Sequence, residues 1–263
     1  MEIDRALRED VGVNDRAVLA ADLGALEIDE WPVYLAAHSG LPGPRANLTL
    51  VQAFGDVAEA ATVIEYAGRP DEYLALCGTA ALGRLLGEDD GRIESFLRAR
   101  AADARWRVRE GVAMALQTLG DRDPSALFDL ADRWLKQETA TATATDAASL
   151  LTLRAVAAGV AEPRLVKGEA AALAGQNILN RIMELLVAVP IGERRSEGFR
   201  VLQKALGYCW SVVVPGAPGP GFDALERWAR SGDPAAAQIV RVNLTKTRLR
   251  RVDPVRVATI GAS

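Results

Sequence analysis

The sequence predicts an all-α fold in which pairs of helices follow one another along the chain. Alanine and leucine dominate the 263 residues, whereas aromatic residues make up only 5%, and this composition favours helices over strands. Prolines such as Pro70, Pro124, Pro163 and Pro234 stand at or just before the start of segments with helical periodicity, where a helix tolerates proline. No segment alternates like a strand of a parallel sheet, and no Gly-x-Gly-x-x-Gly turn occurs.

An apolar residue followed by arginine recurs early in four of the helical segments. The arginines are 45, 46 and 41 residues apart, which matches the roughly 40–47-residue period of two-helix repeats. An aspartate stands six to eight residues before three of the arginines, where a turn between helices is expected. The pairs are Val108-Arg109, Leu153-Arg154, Phe199-Arg200 and Val240-Arg241, and the aspartates are Asp103, Asp146 and Asp233.

The segment from Asp103 to Asp121 resembles a HEAT repeat, with a turn aspartate, Val108-Arg109 and a closing Leu-Gly-Asp. In that family the arginine reaches the turn aspartate of a neighbouring repeat. The resemblance therefore implies an α-α superhelix, or solenoid, of the HEAT or armadillo type. It also implies a structural ladder of charge pairs that includes Asp103, Arg109, Asp146 and Asp233.

Helix pairs laid out at this period give about six repeats in a single domain over 1–263. Residues 1–14 are expected to form an N-terminal cap or tail, and 252–263 a C-terminal tail. The segment 138–145 is predicted to be a loop, and the proline- and glycine-rich segment 215–221 a surface connection. The predicted pairs are 29–38 with 45–55, 57–67 with 71–87, 91–101 with 104–119, 124–137 with 147–161, 168–188 with 194–213, and 222–231 with 234–250.

Charge is distributed unevenly along the chain. Residues 1–95 hold 18 acidic and 7 basic residues, whereas residues 96–263 hold 17 acidic and 24 basic ones. A basic segment indicates an anionic partner, although both halves are equally consistent with ordinary solvated surfaces. In a solenoid the second helix of each pair lines the concave groove, and the predicted binding residues there are Arg105, Arg107, Arg154, Arg200, Lys204, Arg241, Lys246 and Arg248.

Trp106 and Glu110 are four residues apart and share one face of a predicted helix. This pair is similar to the aromatic and acidic residues that alkylpurine DNA glycosylases of the HEAT-like AlkC/AlkD type use. An aromatic ring and a carboxylate both stabilise developing positive charge. The resemblance implies catalytic roles for Trp106 and Glu110, whereas the alternative is that Trp106 is a core residue.

Other functional classes find little support in the residue types present. Two cysteines and one histidine cannot supply a disulfide framework or a zinc cluster, so neither a metal nor a cofactor is expected. No apolar stretch is long enough for a membrane span, and the acidic start differs from a signal peptide. We therefore expect a cytoplasmic protein.

The sequence most favours a HEAT-repeat binding or scaffold protein without catalytic activity, which holds a macromolecular partner in its groove. The expected partner is another protein. The alternative is an AlkC/AlkD-type glycosylase, or a DNA-binding relative of these enzymes, that binds DNA through its basic C-terminal half. A third hypothesis is an accessory subunit whose acidic N-terminal repeats dock on a basic protein.

Overall fold

A computed structural model describes residues 16–87, 91–140 and 146–262 of the chain. These residues form helices connected by short turns and contain no β-strand, so the all-α prediction is confirmed. The chain divides into two compact units, Met1–Thr118 and Leu119–Ser263, here called unit 1 and unit 2. No helix in the described ranges has the length and apolar character that crossing a bilayer requires.

Unit 1 packs around helix α5, in which every residue from Tyr73 to Ala81 is buried. A Cβ at Gly78 would lie only 2.0 Å from the backbone nitrogen of Ala67, so the close packing of α5 against α4 requires glycine there. Trp31, Phe54 and Tyr66 complete an aromatic cluster. The helices of unit 1 are α1 over 16–25, α2 (Trp31–His38), α3 (Leu48–Val57), α4 (Ala60–Ala67), α5 (Glu72–Ala81), α6 (Arg92–Ala101) and most of α7 (Trp106–Arg122).

Unit 2 packs around helix α11, which contacts α9 on one side and α13 on the other. Trp210 on α11 is fully buried, and the other buried aromatic residues of this unit are Trp134, Phe199, Phe222 and Trp228. The helices of unit 2 are α8 (Pro124–Ala140), α9 (Ala147–Val160), α10 (Glu169–Ala188), α11 (Glu197–Val213), α12 (Pro218–Ala229), α13 (Pro234–Leu244), α14 (Thr247–Val252) and α15 (Pro254–Gly261).

The three aspartates of the predicted ladder all lie at helix starts, where they accept hydrogen bonds from backbone N–H groups. Asp146 accepts from Ser149 N, and Asp233 accepts from Ala235 N and Ala236 N. Asp103, just before α7, accepts from Arg105 N at 2.9 Å. Capping of this kind satisfies donors that the first helical turn leaves without a partner.

Arginines in the turns connect one turn to another within each unit. In unit 1, Arg105 holds the carboxylate of Asp103 and donates to the carbonyl oxygens of Arg69 and Pro70 at 2.9 and 2.8 Å. Arg109, which is 7% exposed, donates to the carbonyl oxygens of Asp103 and Ala104. Arg105 and Arg100 both form ion pairs with the Asp103 carboxylate, at 2.8 and 3.0 Å.

In unit 2 the corresponding turn arginine is Arg194. It donates to the carbonyl oxygens of Val189 and Val187 at 2.9 and 2.8 Å and forms an ion pair with Asp233 at 2.7 Å. Burial alone would raise the pKa of Asp233, but Arg194 and the capped N–H groups leave that pKa lowered. Asp233 thus both starts α13 and attaches it to the turn before α11.

Several helix boundaries differ from the sequence prediction. The segment 215–221 was expected to hold no helix, yet α12 begins at Pro218, because the first helical turn does not need the N–H groups that prolines lack. The expected tail after 252 forms α15, whose Ile260 is buried. Helix α8 extends to Ala140, while 141–145, like 1–14, lie outside the described residues.

The turn at Asp103 generates a prediction about stability and pH. Hydrogen bonds from Arg105 lower the pKa of Asp103, so its contribution to folding is present above the pKa of an unfolded aspartate, about 3.9, and is lost as pH falls below it. We expect Asp103→Asn to lower the free energy of unfolding by about 1–3 kcal/mol at pH 7. Urea denaturation at pH 7 and pH 3 should show this difference shrinking at pH 3.

Asp56→Asn is the matched control, because Asp56 forms a comparable two-bond pair with Arg16 that is solvent-exposed. Such exposed pairs contribute less than about 1 kcal/mol. Equal effects of Asp103→Asn and Asp56→Asn at pH 7 would contradict the role assigned to the turn.

Candidate anion-binding site

One face of α11 carries a stripe of exposed side chains. Arg200, Lys204 and Tyr208 follow at intervals of four residues and therefore project from the same side of the helix. All three are exposed, whereas Leu202, Leu206 and Trp210 on the other sides are buried. The contacts of α11 with α9 and α13 thus leave this stripe as its solvent-facing surface.

Helices α13 and α14 lie beside the stripe. Gly207 permits the approach, because a Cβ there would already lie 3.2 Å from Val242 on α13. Between the helices a cleft of about 200 Å³ is lined by Arg200, Lys204 and Gln238, among others. A second cleft, of about 660 Å³, is bounded by Tyr208 and by residues 245–248, Arg251 and Val252.

The surface around these clefts is called the basic face below. Its α11 members form the stripe, Arg241 lies on α13, and the remaining members lie at the start of α14 or on it. The chain turns at residues 245–246 between α13 and α14, so Lys246 lies immediately before α14. The basic face consists of Arg200, Lys204, Tyr208, Arg241, Lys246, Arg248 and Arg251.

The chain segments that build the basic face lack acidic residues. Segments 198–222 and 234–252 together contain seven lysines and arginines and no aspartate or glutamate. The fold brings the two segments together as α11 and α13–α14. This composition favours a positive potential over the surface, and the acidic residues that flank the two segments are Glu197, in the first turn of α11, Asp223, Asp233 and Asp253.

The basic residues of this face differ in their partners from those arginines of unit 2 that contact a carboxylate. Within the described part of the chain, none of the six lysines and arginines of the basic face forms an ion pair. Arg241 donates instead to the side-chain oxygen of Gln238, at 2.6 Å. Arginines elsewhere in unit 2 that contact a carboxylate are Arg164, Arg181, Arg194, Arg230 and Arg256.

Tyr208 is the one aromatic member of the basic face, and the sequence analysis missed it. Its side chain is 47% exposed, the Arg248 guanidinium lies 5.7 Å from the ring centroid, and Nη1 of Arg248 lies 3.4 Å from the hydroxyl. This is a cation–π arrangement at the edge of the larger cleft. The signal in the sequence that could have identified Tyr208 was its position four residues, or about one helical turn, after Lys204.

Two of the predicted binding arginines, Arg105 and Arg107, are engaged within unit 1. Arg105 joins the turns described above, and Arg107 forms an ion pair with Glu72 at 2.8 Å. Both side chains are largely buried, so they are structural connections and not open cationic sites. Arg154 on α9 is half-buried and close enough to Cys209 to influence its pKa.

Trp106 is a surface residue, 48% exposed, and not part of the core. Glu110 follows one turn later and is half-buried. The guanidinium of Arg107 lies 4.5 Å from the centroid of the tryptophan ring, so a cation of the chain itself already lies against this aromatic surface. The pair predicted from the glycosylase resemblance therefore shares one exposed area of unit 1.

Nucleophilic and metal-binding side chains are sparse in the described residues. No group of three or more His, Cys, Asp or Glu residues there could hold a metal ion. Cys77 and Cys209 are buried, and burial raises the pKa of Cys209 to about 12, which leaves little thiolate at neutral pH. His38 bonds the carbonyl of Tyr34 and stacks on its ring.

Comparison with known proteins adds no relative to this description. No family model, curated protein or solved structure matches the chain significantly. The arrangement of its own residues is therefore the basis for assigning a function.

Proposed function

We propose that this protein is a non-catalytic binding protein of the HEAT-like helical-repeat type, and that it holds a negatively charged macromolecule against the basic face. The observation that carries the proposal is the set of six lysines and arginines without ion pairs, on segments free of acidic residues. A surface of this kind concentrates positive potential and attracts an anionic partner.

Clustered charge of one sign is unfavourable for the folded protein on its own. Arg200 and Lys204 are like charges four residues apart on a helix, an arrangement that costs about 0.2–0.5 kcal/mol. At several other arginines of unit 2 the fold places a carboxylate beside the guanidinium, as Asp233 lies beside Arg194. An anionic partner would place negative charges beside the lysines and arginines of the basic face, as Asp233 does beside Arg194.

The extent of the basic face favours a macromolecule over a small anion. Arg200 and Tyr208 are eight residues apart on α11, which corresponds to about 12 Å of helix, and the second cleft continues along residues 245–252. Several negative charges can therefore bind at the same time. An acidic segment of another protein, expected from the sequence, and a nucleic acid both meet this requirement.

Contacts in unit 2 support the repeat architecture. Helices α9, α11 and α13 are the second helices of successive predicted pairs, and each packs against the next. The pair formed by Arg194 and Asp233 links the turn before α11 to the turn before α13, as the arginine–aspartate ladder of HEAT repeats links neighbouring units. We include the α-α superhelix of about six such repeats in the proposal on this basis.

The absence of ion pairs at the basic face leads to a prediction about stability. Lys204→Gln should leave the free energy of unfolding unchanged or raise it by up to about 0.5 kcal/mol at low salt, because a repulsive interaction is removed. Arg194→Gln should lower it by about 1–3 kcal/mol, because Asp233 and two carbonyl oxygens lose their donor. Urea denaturation of both variants measures the contrast, and a loss for Lys204→Gln as large as for Arg194→Gln would contradict it.

Charge reversal tests the binding function directly. Arg200→Glu/Lys204→Glu should elute from an immobilised heparin column at clearly lower salt than the wild type, because the anion loses two cationic contacts and meets two carboxylates. Arg227→Glu/Arg230→Glu is the matched control, since it changes the net charge of unit 2 equally and neither arginine lines the two clefts. Because Arg230 forms an ion pair with Glu226, circular dichroism checks that both double variants are folded. Equal elution of the two double variants would show that retention follows net charge and would refute the proposed site.

A second candidate function, alkylpurine DNA glycosylase, is favoured by one observation, the exposure of Trp106 one turn from Glu110. We expect no release of N7-methylguanine from alkylated DNA by the wild-type protein, because Arg107 lies against the ring that would have to contact the cationic base. Base release that Glu110→Gln abolishes without loss of DNA binding would establish the enzyme instead.

A further inference from the structure

We infer that the anionic partner of the basic face is single-stranded nucleic acid, with an unpaired base stacked on Tyr208 and the surrounding lysines and arginines bound to its phosphates. This inference rests on the proposed function and specifies the ligand of the same site. It is carried by the position of Tyr208, by the hydrogen-bonding side chains at the clefts and by the distribution of charge.

Tyr208 lies where a stacking residue would be needed. It follows Lys204 by one helical turn, and it borders the larger cleft, which Lys246, Arg248 and Arg251 also line. Proteins that bind single strands combine a cationic groove for the backbone with exposed aromatic rings for the bases. Arg248, close to the ring, extends the same platform, because guanidinium groups also stack on bases.

Several other side chains of the clefts are hydrogen-bonding groups. Thr245 and Thr247 border the larger cleft, and Gln203 and Gln238 border the smaller one, which Ile239 and Val242 also line. Hydroxyl and amide groups of this kind commonly contact phosphate and sugar. Apart from Tyr208, the only large apolar side chain in the described lining that is strongly exposed is Val252, at 36%.

This composition distinguishes a nucleic acid from an acidic polypeptide. A protein interface draws its affinity from a buried apolar centre surrounded by polar residues, and the basic face has no such apolar centre. Carboxylates of an acidic peptide would use the lysines and arginines but would leave Tyr208 without a function. In a nucleic acid the phosphates contact the lysines and arginines, and a base stacks on Tyr208.

The exposed ring of Tyr208 also favours a single strand over a duplex. Bases in a duplex are paired and stacked on one another, so placing one on Tyr208 would require it to be flipped out, at a cost of a few kcal/mol. A single strand has no such cost.

The test measures fluorescence anisotropy of labelled 12-residue probes: oligo-dT, oligo-U, a DNA duplex and poly-glutamate. Wild-type protein should bind the two single strands more tightly than the duplex or poly-glutamate. Six cationic contacts set a limit of about −4 for the slope of log K against log salt, at about −0.7 per phosphate. Tyr208→Leu should weaken oligo-dT binding by about 10-fold or more, whereas Tyr208→Phe should stay within about 2-fold.

Controls separate stacking from folding and from charge. Trp106→Leu removes another half-exposed aromatic side chain and should leave the affinity for oligo-dT unchanged. Circular dichroism and melting temperature show whether Tyr208→Leu is folded. If it is not, Arg248→Gln is used, and its salt slope should be about 0.7 smaller in magnitude than that of the wild type.

The outcomes distinguish this inference from the proposed function. Binding of poly-glutamate but not of oligo-dT or oligo-U, with sensitivity to Arg200→Glu/Lys204→Glu, would overturn the nucleic-acid ligand and leave the proposed function in place. Equal binding of duplex and single strands, unaffected by Tyr208→Leu, would likewise overturn it. Failure of all four probes to bind at low salt would overturn both.

Discussion

The burial of α11 between α9 and α13 is the constraint on which the candidate site depends. Its leucines, Cys209 and Trp210 are in the core of unit 2, so only one stripe of the helix remains for solvent. That stripe holds Arg200, Lys204 and Tyr208, and Gly207 lets α13 approach closely enough to form a cleft beside it. Packing thus determines which side chains of α11 are available to a partner, and it fixes their spacing.

Local signals in the sequence predicted much of the fold because they act over a few residues. Aspartates at helix starts and the apolar periodicity of α7, α9 and α11 located most helices to within a few residues. The start of α12 at Pro218 was missed, since the prolines that usually end a helix occupy its first turn, where they are tolerated. The separate helices α14 and α15 depend on tertiary packing, such as the pair between Arg256 and Asp223.

The candidate site was harder to predict, because an arginine looks the same in the sequence whether or not a carboxylate lies beside it. Arg105 and Lys204 both lie at helix positions predicted to bind, yet Arg105 is held by Asp103 and by two carbonyl oxygens of a distant turn. Only the three-dimensional arrangement shows that Lys204 has no such partner. The absence of acidic residues from 198–222 and 234–252 was nevertheless visible in the sequence and is the stronger indicator.

An overall negative charge does not prevent this protein from binding a polyanion. The chain carries a net charge of −4, but charges in solution act mainly within a Debye length, about 8 Å at physiological ionic strength. Segments 198–222 and 234–252, which build the basic face, contain no carboxylate, and the one acidic residue of α11 is Glu197 in its first turn. The distribution of acidic residues along the sequence, and not their number, therefore determines the potential that a ligand meets at the basic face.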